Sequence, residues 1–162
     1  MRAPNTRTVA LLTLAAAGLA LGGAWVAETQ LGLVPCALCL LERWPFRLLA
    51  GLAGLALAWP SARRALLGLA AVTMLAGVAL GVTHVGVEQH WWPSPLPECA
   101  APALGGGTMA ERLARLPARP AKPCDEPVWV VPGLSFAGLQ LVLALALCAV
   151  LATSAMQTER RA

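Results

Sequence analysis

Four apolar runs divide this chain. They extend from about Thr8 to Ala27, Pro45 to Trp59, Ala65 to Val87 and Gly133 to Ala155. Apart from Arg47 they contain no Asp, Glu, Lys or Arg. A helix rises about 1.5 Å per residue, so about 20 residues cross the roughly 30 Å hydrocarbon core of a bilayer. A soluble domain has charged residues to cover its surface, about 25% of the total. Here the charged share is 12% and the hydrophobic share 58%. The expected architecture is therefore all-α: a four-transmembrane-helix bundle forming a single membrane domain over residues 1–162. Two extracytoplasmic loops, at about 28–44 and 88–132, would connect the spans.

The second run is short for a crossing. Starting it at Leu40 would draw Glu42 and Arg43 into the interface. The first run, preceded by Arg2 and Arg7, resembles a signal peptide in outline. Its apolar stretch exceeds the usual h-region, and small-residue cleavage sites such as that after Ala20 fall inside it, so a retained helix is expected. Trp25, Trp44, Trp59, Trp91, Trp92 and Trp129 fall at or just beyond the ends of runs, where an indole ring is buried and its N–H stays wet.

Orientation follows from Arg in the short connections. Arg2, Arg7, Arg63, Arg64, Arg160 and Arg161 stand on one side, against Arg43 and Arg47 on the other. Both termini are expected in the cytoplasm. Arg112, Arg115, Arg119 and Lys122 oppose this count, but they lie in the long loop among Glu88, Glu98, Glu111, Asp125 and Glu126. With a net charge of +4 and no basic stripe, nucleic-acid binding is not expected.

The long loop is rich in Pro and contains Gly105-Gly106-Gly107, a composition that disfavours an independent packed domain. One piece carries a helix signal. Thr108-Met109-Ala110-Glu111 matches a capping box, and Met109, Leu113 and Leu116 recur at helical spacing before Pro117. A short amphipathic helix is expected there, lying on the membrane surface or capping the loop.

The chemistry lies in the cysteines. Cys36 and Cys39 form a Cys-x-x-Cys pair immediately before the second run, with Arg43 one helical turn beyond Cys39. A nearby cation or helix amino terminus favours the thiolate, the reactive form. Cys99 and Cys124 lie in the long loop, where a disulfide would be exposed, poorly enclosed and open to a thiolate on another protein. A simple staple of the loop is the plain alternative. Zinc is not expected, because structural zinc sites draw on two closely spaced pairs and only one is present. Cys148, inside the fourth run, reads as a small hydrophobe. His84 lies at membrane depth, where an ionisable group is usually functional, and Glu88 one turn on can orient it. His90 lies at the start of the loop and carries less weight.

CALCLLER at Cys36–Arg43, HWWPSPLPEC ending at Cys99, PCDEP around Cys124 and VWVVPGLSF before the fourth run resemble the disulfide bond formation protein B (DsbB) family over nearly the whole chain. The resemblance implies a bacterial inner-membrane protein-dithiol:quinone oxidoreductase. Cys36 and Cys39 would be the quinone-linked pair, with Cys39 and Arg43 facing ubiquinone or menaquinone. Cys99 would form a mixed disulfide with a periplasmic, DsbA-like thioredoxin-fold oxidant, and Cys124 would then engage Cys36. His84 is the position matching the family's quinone-side histidine. Trp91-Trp92 and the Gly-rich centre of the loop depart from the family's pattern. Two rivals stand beside this expectation: a non-enzymatic scaffold with structural disulfides, and a quinone reductase similar to vitamin K epoxide reductase.

Overall fold

A computed structural model describes residues 5–99, 108–114 and 122–159. The chain is mostly helical. Helix α1, Thr6–Thr29, begins at Asn5, whose side chain accepts the Arg7 N–H at 3.1 Å. It ends where Gly32 takes a φ of 64°, a left-handed turn that costs glycine little. Helix α2, Ala37–Leu41, and helix α3, Arg43–Ala58, follow with only Glu42 between them. Pro45 falls in the first turn of α3, where its missing N–H costs nothing. Helix α4 is Arg63–Glu88 and helix α5 is Met109–Ala114. A two-stranded antiparallel hairpin, β1 Trp129–Val131 and β2 Leu134–Ser135, leads into helix α6, Phe136–Glu159. Gly133 turns that hairpin with a φ of 86°.

Among the described residues, three segments are long and apolar enough to cross a membrane: Thr6–Thr29, Arg63–Glu88 and Phe136–Ser154, with mean hydropathies of 2.0, 2.3 and 2.3. The 16 residues of α3 extend only about 24 Å. Helices α1, α3, α4 and α6 pack around one core in which Ala recurs: Ala10 and Ala17, Ala56, Ala70 and Ala144 lie among Phe46, Leu49, Met74, Leu147 and Leu151. Small side chains let apolar helices approach closely. Gly81 shows the same effect, since a Cβ there would stand 3.2 Å from Leu141 Cβ. The opposite faces expose Leu12, Leu19, Val72, Leu75, Val142 and Leu145, the pattern of helices whose outer surface meets lipid rather than water.

The helix ends carry the predicted signals. Trp25, Trp44, Trp59 and Trp91 are all exposed near helix ends. Arg47 stacks on the Trp44 ring at 5.1 Å, and Arg63 Nε donates to the Ala56 carbonyl at 2.8 Å, closing the end of α3. The capping box forms: the Thr108 N–H donates to Glu111 Oε2 at 2.8 Å, and the Glu111 N–H to Thr108 Oγ1 at 3.4 Å. The expected continuation of α5 through Leu116 to Pro117 lies outside the described residues, as do Gly105-Gly106-Gly107, Arg115, Arg119, Arg2, Arg160 and Arg161. The hairpin before α6 carries no such sequence signal, because its two strands are too short for alternation to register.

Candidate redox site

Cys36 stands at the N-cap of α2 in extended conformation, and its sulfur accepts the Cys39 N–H at 3.1 Å. One helical turn brings the Cys36 and Cys39 Cα atoms to 5.0 Å, and the two sulfurs are joined in a disulfide. Cys99 and Cys124 form a second disulfide, with Cα atoms 5.1 Å apart.

The second disulfide departs from the expectation of an exposed loop bridge. Cys99 is 6% and Cys124 1% exposed. Both pack with Cys36, Leu38 and Val87 in one apolar cluster, with Leu96 and Cys39 at its edge. The reason is local. Trp92 folds back onto α4, its ring against Gly86 and its Nε1–H donating to the Thr83 carbonyl at 3.1 Å. That reversal, followed by the single 3-10 turn Pro97–Cys99, lays the loop over α2. The two cysteine pairs, distant in sequence, thus share one buried patch.

Cys39, at the edge of that cluster, also lines a pocket. Ala24, Ala27, Leu33, Val34, Phe136 and Ala137 form its apolar wall. Glu28, Glu42, Arg43, His84 and Gln140 supply the polar side. Arg43 is paired with Glu28, and both are half-buried. Gln140 Nε2 donates to the Glu42 carbonyl at 3.1 Å, tying α6 to the α2–α3 corner.

His84 is 3% exposed and sits between two partners. Its Nε2 is 3.5 Å from Cys36 Sγ, and its Nδ1 is 3.0 Å from Glu42 Oε2. Glu42, not Glu88, therefore orients the ring. Glu88 is turned away and accepts from Ser135 Oγ. Ser135 in turn accepts the Gly138 N–H at 3.0 Å, capping α6. His90 is apart from this group: it is 73% exposed, has a φ of 58° and lies 3.9 Å from Asp125 Oδ2. It borders a second recess with Trp92, Ser94, Cys99 and Asp125. Cys148 is a free thiol packed against the helix core.

Cys36, Cys39 and His84 bring their ligand atoms within 4.8 Å of one another. With the sulfurs bonded to each other, neither is the thiolate a metal requires. Of the six candidate residues, Cys36, Cys39 and His84 meet directly, Arg43 joins Cys39 and His84 at the pocket, and Cys99 and Cys124 lie against Cys36. Sequence reasoning passed over Glu28, Glu42 and Gln140. Glu42 had a signal, since a carboxylate beside an apolar span is costly unless it is partnered.

A family model described as disulfide bond formation protein DsbB matches residues 6–154, a range that contains every residue of this site. No curated protein matches the chain. No solved structure matches it either.

Proposed function

The chain belongs to the DsbB family, and from that premise we propose that it is a protein-dithiol:quinone oxidoreductase sustaining disulfide formation. Its partner would be a reduced, DsbA-like thioredoxin-fold protein in the periplasm, and its acceptor a membrane quinone, ubiquinone or menaquinone. The observation that carries this reading is the packing of the Cys99–Cys124 disulfide against Cys36, while Cys39 lines a pocket.

That arrangement supports a relay with a direction. A partner thiolate attacks Cys99 and releases Cys124. Cys124 lies beside Cys36 and attacks it, which releases Cys39 on the pocket side. Thiolate–disulfide exchange needs close approach, and the shared cluster supplies it. Cys99 is 6% exposed and borders the recess lined by Trp92, Ser94 and Asp125, the side from which a partner thiolate would reach it.

The pocket suits a quinone ring. Its lining is largely apolar and includes two donors, the Arg43 guanidinium and the Gln140 amide. A quinone there supplies an acceptor for two electrons and two protons. A DsbA-type couple lies near −120 mV, and each ~30 mV is a tenfold factor for two electrons. Ordinary disulfides cannot reoxidise such a partner, and a quinone can.

The proposal includes four membrane spans in the bacterial inner membrane, with both termini cytoplasmic. Helix α3 would be the short crossing, extended at its periplasmic end by α2. The positions of Arg63 and Arg64 at the start of α4 support that orientation.

The test uses purified protein in detergent, a reduced DsbA-like partner and either quinone, with quinone reduction followed spectroscopically. Turnover that disappears in Cys39→Ser is expected. Absence of turnover with both quinones, in folded protein, would overturn the proposal in favour of a scaffold with structural disulfides.

A further inference from the structure

Glu42 is 3% exposed, and its Oε1 has no hydrogen-bond partner among the described residues. A buried carboxylate normally gathers every donor within reach. The nearest cation in sequence is Arg43, but Arg43 is committed to Glu28. Among the described residues the Glu42 carboxyl thus has one side-chain partner, the His84 ring, whose Nδ1 stands 3.0 Å from Oε2.

A carboxylate only accepts, so this contact keeps the proton on Nδ1 and turns the other nitrogen's lone pair toward Cys36. His84 Nε2 stands 3.5 Å from Cys36 Sγ. Cys36 is 2% exposed, which denies its sulfur direct exchange with water. His84 and Cys39 also line one pocket. Sulfur, imidazole and carboxylate are therefore in line, with the imidazole touching both the sulfur and the acceptor's pocket. The arrangement follows the logic of a nucleophile–histidine–carboxylate triad, in which the acid fixes the tautomer and stabilises the imidazolium.

We infer that Cys36, His84 and Glu42 form a proton relay for disulfide re-formation, with His84 as the catalytic base and Glu42 as its positioning residue. This rests on the thiol:quinone reading. The overall step is Cys36–SH plus Cys39–SH plus quinone, giving the Cys36–Cys39 disulfide plus quinol. The Cys36 S–H bond breaks and its proton moves to His84 Nε2. A bond forms between the Cys36 and Cys39 sulfurs, and two electrons leave through Cys39 to the quinone. The Nε2 proton passes to one quinone oxygen and the Cys39 thiol proton to the other. His84 then holds its Nδ1 proton again, ready for the next cycle.

The relay has a signature that does not require quinone. The chain has two histidines, so His90→Gln leaves one ring to observe by nitrogen NMR. In quinone-free protein, the His84 ring should show the Nδ1–H tautomer in the disulfide state. Chemical reduction should then protonate its second nitrogen. Glu42→Gln should lose that response. With quinone and partner present, the same variant should lower kcat for quinone reduction roughly 10²-fold, the ordinary scale of acid–base catalysis. Its KM for both substrates, and its thiol exchange with the partner, should move less than threefold. An unchanged His84 ring on reduction of the wild type would overturn the relay, and that measurement stands even if Glu42→Gln does not fold. Full-rate quinone reduction by Glu42→Gln would overturn it as well. A responsive ring in protein that reduces no quinone would instead overturn the acceptor reading and leave the Cys36–His84 proton transfer standing.

Discussion

Arg43, in the first turn of α3, is ion-paired with Glu28, in the last turn of α1 and 15 residues earlier. The pair holds the α1 end against the α2–α3 corner and sets the guanidinium at the edge of the Cys39 pocket. Side-chain exposures of 15% and 28% make it a partly screened contact. Its worth to stability is therefore about 0–1 kcal/mol, the range of exposed pairs. Its worth to chemistry is larger if Arg43 meets the acceptor, because a hydrogen bond to a charged group contributes about 1.5–3 kcal/mol. Arg43→Ala should slow quinone reduction by about tenfold or more, whereas Glu28→Gln, which leaves the cation in place, should cost much less. Equal losses in steady-state turnover would mean that the pair acts only as a strut.

Ser135 joins two jobs in one hydroxyl. It donates to buried Glu88 and accepts from the Gly138 N–H as the cap of α6. Ser135→Ala would leave a carboxylate that is 6% exposed without this donor. The expected loss is about 1–3 kcal/mol for the unsatisfied group, with up to about 2 kcal/mol more for the missing cap. Thermal denaturation in detergent should register it, with the quinone pocket chemistry otherwise intact.

Leu38 is fully buried between the two disulfides' cysteines, in the cluster with Cys36, Val87, Cys99 and Cys124. Leu38→Ala removes the side chain that seats the loop on α2. Large-to-small changes at such sites cost about 2–5 kcal/mol. A water-soluble phosphine should then reduce the Cys99–Cys124 bond markedly faster than in the wild type. An unchanged reduction rate would show that burial in this cluster does not protect the bond.

Gly86 is the seat of Trp92. A Cβ there would come within 2.0 Å of Trp92 Cζ2, so Gly86→Ala must push the indole off α4 and break its bond to the Thr83 carbonyl. Overpacking of this kind costs about 1–3 kcal/mol. Helix content by circular dichroism should be preserved, while indole fluorescence shifts toward that of a solvated ring. A shift retained when Trp92→Phe is added would point to another of the six tryptophans.

Several of these relationships left no trace in the order of residues. Glu88, one turn from His84, was the expected orienting group, yet it turns toward Ser135. On one helix, residues four apart share a face, but that spacing cannot exclude a better partner on a neighbouring element. The loop disulfide looked exposed because Pro and Gly surround it. Its burial depends on Trp92 finding Gly86 and on Leu38 and Val87 presenting an apolar seat.

What the sequence determined by itself is local. Apolar runs specify α1, α4 and α6, the Thr108 capping box specifies the start of α5, and the Cys-x-x-Cys spacing brings Cys36 and Cys39 within one turn. Hydropathy and capping act over a few residues, so they are legible in a linear reading. Only the tertiary structure decided which partner each ionisable side chain meets. Arg43–Glu28, Glu42–His84 and Glu88–Ser135 join residues 15, 42 and 47 apart. An ionisable side chain buried among apolar helices must take whatever partner packing delivers, because no water is there to substitute.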